Sequence, residues 1–152
     1  MDRGQANVLV GDLATALGIP TLALDDDGMC ILQLEEGEEK VIVSIGHNPG
    51  AGSLDLMACL SRVEPSPARA AAALLANFDT KESGVMFATE SSTGAFIVQQ
   101  RFSGPDLGDG GLPAAVSSFV DEAIARTQQL LAIEALDEEA GAERPATLGI
   151  RG

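Results

Sequence analysis

An α+β fold, with an antiparallel twisted sheet flanked by three helices in the order α-β-β-β-α-β-β-α, is predicted by three features of the sequence. Apolar residues recur at helical spacing in three separate stretches. Strand-like runs fall into two groups, three or four and then two, joined by turn residues. No segment repeats, so the groups belong to one layered domain rather than to a repeat array.

Ala6, Leu9, Leu13, Ala16 and Leu17 stand three and four apart and line one side of a first helix, with Val8 and Val10 widening its apolar face. Gly18 and Ile19-Pro20 stop it. Residues 22–24 are expected as a short strand, and Asp25-Asp26-Asp27-Gly28 as the turn of a hairpin, because Asp tolerates and Gly readily adopts left-handed backbone. Residues 29–34 form the next strand, and the acidic turn 35–39 leads into residues 40–45. A loop at 47–53 precedes residues 54–60, where Leu54, Leu56, Ala58 and Leu60 alternate with Asp55, Met57 and Cys59, the period-two pattern of a half-buried strand.

Ser66-Pro67 supplies an N-cap and a first-turn proline for an alanine-rich second helix over 68–76, ending near Asn77. Runs 85–89 and 95–102, separated by Glu90-Ser91-Ser92-Thr93-Gly94, predict a second hairpin. After a Gly-rich loop, Pro113 opens a long helix with Val116, Phe119, Val120, Ala123, Ile124, Thr127, Leu130 and Leu131 on one stripe. Residues 137–152 have charge, Gly, Ala and Pro without period. The expected organisation is a single domain over 1–136 and a disordered acidic tail over 137–152.

Composition narrows the function. The 152 residues suit one domain, and 45% hydrophobic with 21% charged residues is a globular balance. Nine Lys and Arg against 23 Asp and Glu give a net charge of −14, which repels phosphate backbones and anionic headgroups, so nucleic acid and membrane insertion are not expected. The opening Met-Asp-Arg-Gly-Gln lacks the pattern of a secretory signal, and Cys30 and Cys59 read as two small buried hydrophobes in a reducing compartment.

No catalytic or metal constellation emerges. With Gly28 in sixth place, a calcium loop would need ligands at Ala23 and Leu34, and neither can ligate. The Gly50-Ala51-Gly52 run has Asp55 where a dinucleotide fingerprint needs its third Gly. The single histidine, His47, reads as a solvated loop residue. The acidic run Glu35, Glu36, Glu38, Glu39 reads as a solvated turn rather than a catalytic pair. Neither an enzyme nor a cofactor is expected, and such a domain acts by binding.

The whole string carries a further signal. Leu17-Gly18, then Leu22-x-Leu24-Asp25-Asp26-Asp27-Gly28-x-Cys30-x-Leu32 and Val41-Ile42-Val43, resembles the class I type III secretion chaperones, the Tir-chaperone-like family. Leu74-Leu75-Ala76-Asn77-Phe78, Gly84-Val85-Met86-Phe87-Ala88 and Thr93-Gly94-Ala95-Phe96-Ile97-Val98 resemble that family's second helix and last hairpin. The likeness spans roughly residues 5–133 and rests on apolar spacing and turn residues. It departs from the family in having no tryptophan.

The resemblance implies a cytoplasmic bacterial homodimer that binds the extended N-terminal region of a secreted effector and keeps it export-competent, with the secretion ATPase as a further partner. The alternative is a regulatory binding protein of the same fold that sequesters a secretion regulator. The expected dimer interface uses the small-faced second helix and the strand after it, through Ala70, Ala73, Leu74, Val85 and Phe87. The alternative is that this helix packs only on its own sheet. The expected effector groove is formed by Val8, Val10 and Leu13 of the first helix with Met29, Ile31 and Val43 of the sheet. Val8 and Val10 lie off the helix's main apolar line, and the strands carry apolar residues on both faces although one suffices for packing. Alternatively, the third helix covers that second face.

Overall fold

The computed structural model describes residues 1–79 and 83–143. Among them are α1 (Arg3–Leu17), β1 (Met29–Glu36), β2 (Glu39–Asn48), β3 (Ser53–Cys59), α2 (Pro67–Ala76), β4 (Met86–Thr89), β5 (Phe96–Phe102) and α3 (Gly111–Glu143), in the expected order. The strands form one antiparallel sheet, β1-β2-β3-β5-β4, so β1 and β4 are its edges.

α1 begins with a capping box. The Asp2 carboxylate accepts from the Gln5 backbone N–H at 2.8 Å, and the Gln5 side chain accepts from the Asp2 N–H at 2.8 Å. It ends at Gly18, whose φ of 69° is open to glycine at little cost. Its buried stripe is Ala6, Val10, Leu13 and Ala14, while Leu9 is half-buried and Ala16 and Leu17 face outward. The helix is therefore rotated from the expected Leu9-Leu13-Leu17 line, with Val10 inside the stripe. Val8, two residues or about 200° away, points to solvent.

Residues 22–24 do not form a strand. Asp25 instead closes a loop onto β1: its N–H donates to the Met29 carbonyl at 2.8 Å, and its carboxylate accepts from the Met29 N–H at 2.9 Å. Arg3 ties the start of α1 to this loop by donating to the Asp25 and Asp26 carbonyls. Three strands thus precede α2. β2 extends to Asn48, so His47 sits on a strand rather than in a solvated loop, half-buried with Nε2 3.2 Å from the Met1 carbonyl oxygen.

Alternation divides the sheet into two faces. Leu32, Val43, Leu56, Val98 and Phe87 point inward and are buried. Outward, register aligns Ile31, Ser44, Met57, Gln99 and Met86 in one row across all five strands. α3 covers the inner face: Leu112, Val116, Phe119, Val120, Ala123 and Leu130 are buried against it and against α1 and α2. The third helix therefore does not cover the outer face, and neither does any other described element. Cys30 lies inside, where burial raises its thiol to about 11, whereas Cys59 is exposed on the outer face, contrary to the expectation of two buried cysteines.

α2 starts at Ser66, whose side chain accepts from the Arg69 N–H, and packs on α3 and β4. Arg69 is almost fully buried and fastens this junction, donating through Nε to the Leu130 carbonyl at 2.9 Å and through Nη1 to the Glu64 carbonyl at 2.8 Å. α3 continues as helix through Glu143, past the boundary expected at Leu136; residues 144–152 of the expected tail lie outside the described residues.

The β4–β5 connection turns on Glu90, whose carboxylate accepts from the backbone N–H groups of Ser92 and Thr93 and from both hydroxyls. These bonds hold its pKa down to about 2, below the value in the unfolded chain. The stability it contributes is present above about pH 4.5 and lost as pH falls toward about 2. In thermal melts across that window, Glu90→Ala is expected to lose less melting temperature than the wild type.

Candidate partner-binding surfaces

The six residues expected to line one groove separate into different environments. Val10, Leu13 and Val43 are core side chains, at 0%, 1% and 0% exposure, and are corrected from the candidate surface. Val8 is 64% exposed on the solvent side of α1, where it lines a 480 Å³ hollow with Leu9, Gln5, Met1, Gly104 and Pro105. Ile31 is 66% exposed and Met29 half-buried, both on the outer face of the sheet, the layer opposite to the helices. No single groove unites Val8 with Ile31.

The outer face is apolar in its middle and electrically quiet. Ile31, Ile42, Met57, Ile97 and Met86 lie there, and its flanking charges are paired with each other. Arg101 donates to both Asp55 oxygens at 2.7 and 2.9 Å, which lowers the Asp55 pKa, and Lys40 lies 3.8 Å from Glu35.

The two sheet edges differ. On β4, the Asn77 side chain accepts from the Phe87 N–H at 2.7 Å and donates to the Phe87 carbonyl at 3.0 Å. One amide thus takes the place a neighbouring strand would occupy, and the Ser83 hydroxyl accepts from the Val85 N–H beside it. On β1, the Met29 N–H and carbonyl turn away from β2 toward Asp25, while the Gly28 carbonyl accepts from the His47 N–H on β2. Alternation along an antiparallel strand then directs the backbone groups of Ile31, Gln33 and Glu35 outward as well. Among the described residues none of these has a hydrogen-bond partner, so β1 is the edge open to strand addition.

Of the expected dimer residues, Ala73, Val85 and Phe87 are buried within the protomer, while Ala70 and Leu74 are exposed. The larger apolar groups at this surface are Leu75, 67% exposed, and Phe78, 75% exposed, which were not among the expected set. Leu74 is on α2, and Phe78 is on the 3-10 turn Asn77–Asp79 that follows it. Beside them is a hollow of 230 Å³ with Phe87, Phe96 and Ala73 in its lining. The Phe87 ring is braced by the Arg126 guanidinium, 5.3 Å from its centroid.

These features can be set beside known proteins. The Tir chaperone protein (CesT) family profile matches residues 9–126. No curated protein matches the sequence. The fold is similar to that of the ExsC-ExsE complex, with 21% identity, a TM-score of 0.72, and coverage of 86% of this chain and 97% of that chain. It is similar to the HopA1-SchA chaperone-effector complex, with 14% identity, a TM-score of 0.68, and coverage of 84% and 98%. The Yersinia pestis type III secretion chaperone SycH, solved with a stable fragment of YscM2, gives 16% identity, a TM-score of 0.61, and coverage of 78% and 97%.

Burial separates the six expected groove residues experimentally. Val8→Asp and Ile31→Asp are expected to change unfolding free energy by no more than about 0.5 kcal/mol in urea titrations. Val10→Asp and Val43→Asp place an unpaired carboxylate in the core and are expected to cost more than about 4 kcal/mol, giving chains without a cooperative melt.

Proposed function

Because this chain belongs to the Tir chaperone protein (CesT) family, we propose that it acts by binding rather than catalysis, holding an extended N-terminal segment of a secreted effector in the bacterial cytoplasm until export. The observation that carries this reading is the asymmetry of the sheet: β4 is sealed by Asn77, while β1 presents unpaired backbone groups at Ile31, Gln33 and Glu35. An extended segment added there gains main-chain hydrogen bonds irrespective of its sequence, and its alternate side chains reach the apolar residues on either side of the sheet. A segment that orders only on binding gives up conformational entropy, which limits its affinity and permits release to an export machine such as the secretion ATPase. The same edge serves the alternative reading, sequestration of a secretion regulator.

The exposed Leu74, Leu75 and Phe78 support a homodimer through α2 and the turn after it. Burying each side chain contributes roughly 1.5–3 kcal/mol, and protruding side chains beside a hollow suit a two-fold contact in which each protomer fills the other's. Light scattering of the wild type is expected to give about twice the 15.6 kDa chain mass, and Leu74→Asp or Phe78→Asp to give the monomer mass. A monomeric wild type would remove the dimer from this reading.

Gln33→Pro deletes a donor that points to solvent in the free protein, so the fold should persist on this edge strand. Tagged wild type recovered from its host is expected to retain a secreted protein through that protein's N-terminal region, identified by mass spectrometry. The proline variant is expected to lose it with an unchanged melting temperature; equal retention by both would show that β1 is not the docking edge.

A further inference from the structure

At the C-terminal end of β1 the open edge runs into a cleft between α1 and the first third of α3. Its volume is 270 Å³. The floor is apolar, made by Leu13, Leu17, Leu34, Val116 and Val120, with Leu17 still 41% exposed and Leu34 half-buried. The rim is acidic: Glu35 and Glu36 come from β1 and Asp121 from α3. Glu35 has Lys40 at 3.8 Å. Among the described residues, no Lys or Arg forms an ion pair with Glu36 or Asp121, whereas Asp55 on the outer face and Glu39 at the start of β2 each hold an arginine.

We propose that this cleft reads a basic residue next to an apolar anchor on the bound segment, the anchor resting on Leu17, Leu34 and Val120 and the Lys or Arg seated between Glu36 and Asp121. The inference rests on the segment-binding function above and names the partner's chemistry at one end of it. Three considerations select that occupant. A strand added at Ile31, Gln33 and Glu35 directs every second side chain toward the helix layer, hence into the cleft. The incompletely covered floor favours an apolar group there. Glu36 and Asp121 are near enough that hydrogen bonding and like-charge repulsion from Asp121 raise the Glu36 pKa, and a cation between them relieves that repulsion. A neutral or acidic residue at the same place leaves it unrelieved.

The test is selection from a displayed library of random twelve-residue peptides, using the full-length wild type and the Glu36→Gln/Asp121→Asn double variant. The variant removes a like-charge contact, so its melting temperature should match or exceed that of the wild type. The wild type is expected to enrich apolar residues adjoining Lys or Arg, and the double variant to keep the apolar preference and lose the basic one. For the most enriched wild-type peptide, replacing its basic residue by Gln is expected to weaken binding about three- to tenfold in fluorescence anisotropy, with little effect on binding to the double variant. Equal basic enrichment by both proteins, or apolar enrichment without it, overturns the subsite and leaves the segment-binding reading intact. A wild type that enriches no peptide overturns that reading and the subsite together.

Discussion

Helix α3 lies across the inner face of the sheet, with Phe119 fully buried at its centre and Leu112, Val116, Val120, Ala123 and Leu130 along the same stripe. This contact organises the rest. α1 and α2 both pack on α3, so all three helices occupy one layer, and among the described residues nothing covers the other face of the sheet. An antiparallel sheet tolerates that arrangement because its side chains alternate: the strands bury Leu32, Val43, Leu56 and Val98 while presenting Ile31, Ser44, Met57 and Gln99. Arg69 shows what the contact requires at its margin. A charged group is buried there because it satisfies two carbonyls, on α3 and on the chain entering α2.

With one face covered, binding capacity falls to the edges, the open face and the helix surfaces. The edges are treated differently. Asn77, the C-cap of α2, spends its side-chain amide on Phe87 and closes β4, so the apolar surface of Leu74, Leu75 and Phe78 beside it is available for side-chain packing rather than strand addition. Among the described residues, β1 has only Asp25 at its beginning, and the rest of its edge is bare. A binding protein that used both edges alike would risk pairing with copies of itself, and closing one edge lowers that risk.

Charge adds direction. A net charge of −14 gives the molecule a field attractive to basic segments, but the outer face neutralises its own charge through Asp55–Arg101. Such an exposed pair adds little stability, yet it keeps the apolar middle of that face free of uncompensated charge. The Glu36–Asp121 contact at the end of β1 is different in kind, since it places like charges side by side at the mouth of an apolar cleft.

The sequence by itself determined the order of elements, the stop of α1 at Gly18, the Ser66-Pro67 start of α2, and which residues share a strand face, because these follow from periods of 3.6 and two and from local hydrogen bonds. Leu54, Leu56, Ala58 and Leu60 are buried together as their alternation requires. Periodicity states which side chains lie on one side, but not which side is covered, and that depends on where α3 comes to rest. Val8 and Val10 read alike as extra apolar width on α1, yet tertiary packing put Val10 in the core and Val8 in solvent. Val43 and Ile31 likewise parted, one beneath α3 and one on the open face. The sealing of β4 by Asn77 and the meeting of Glu36 with Asp121 join residues far apart in the chain. No local pattern encodes such contacts, because their partners are brought together only when the helices settle on the sheet.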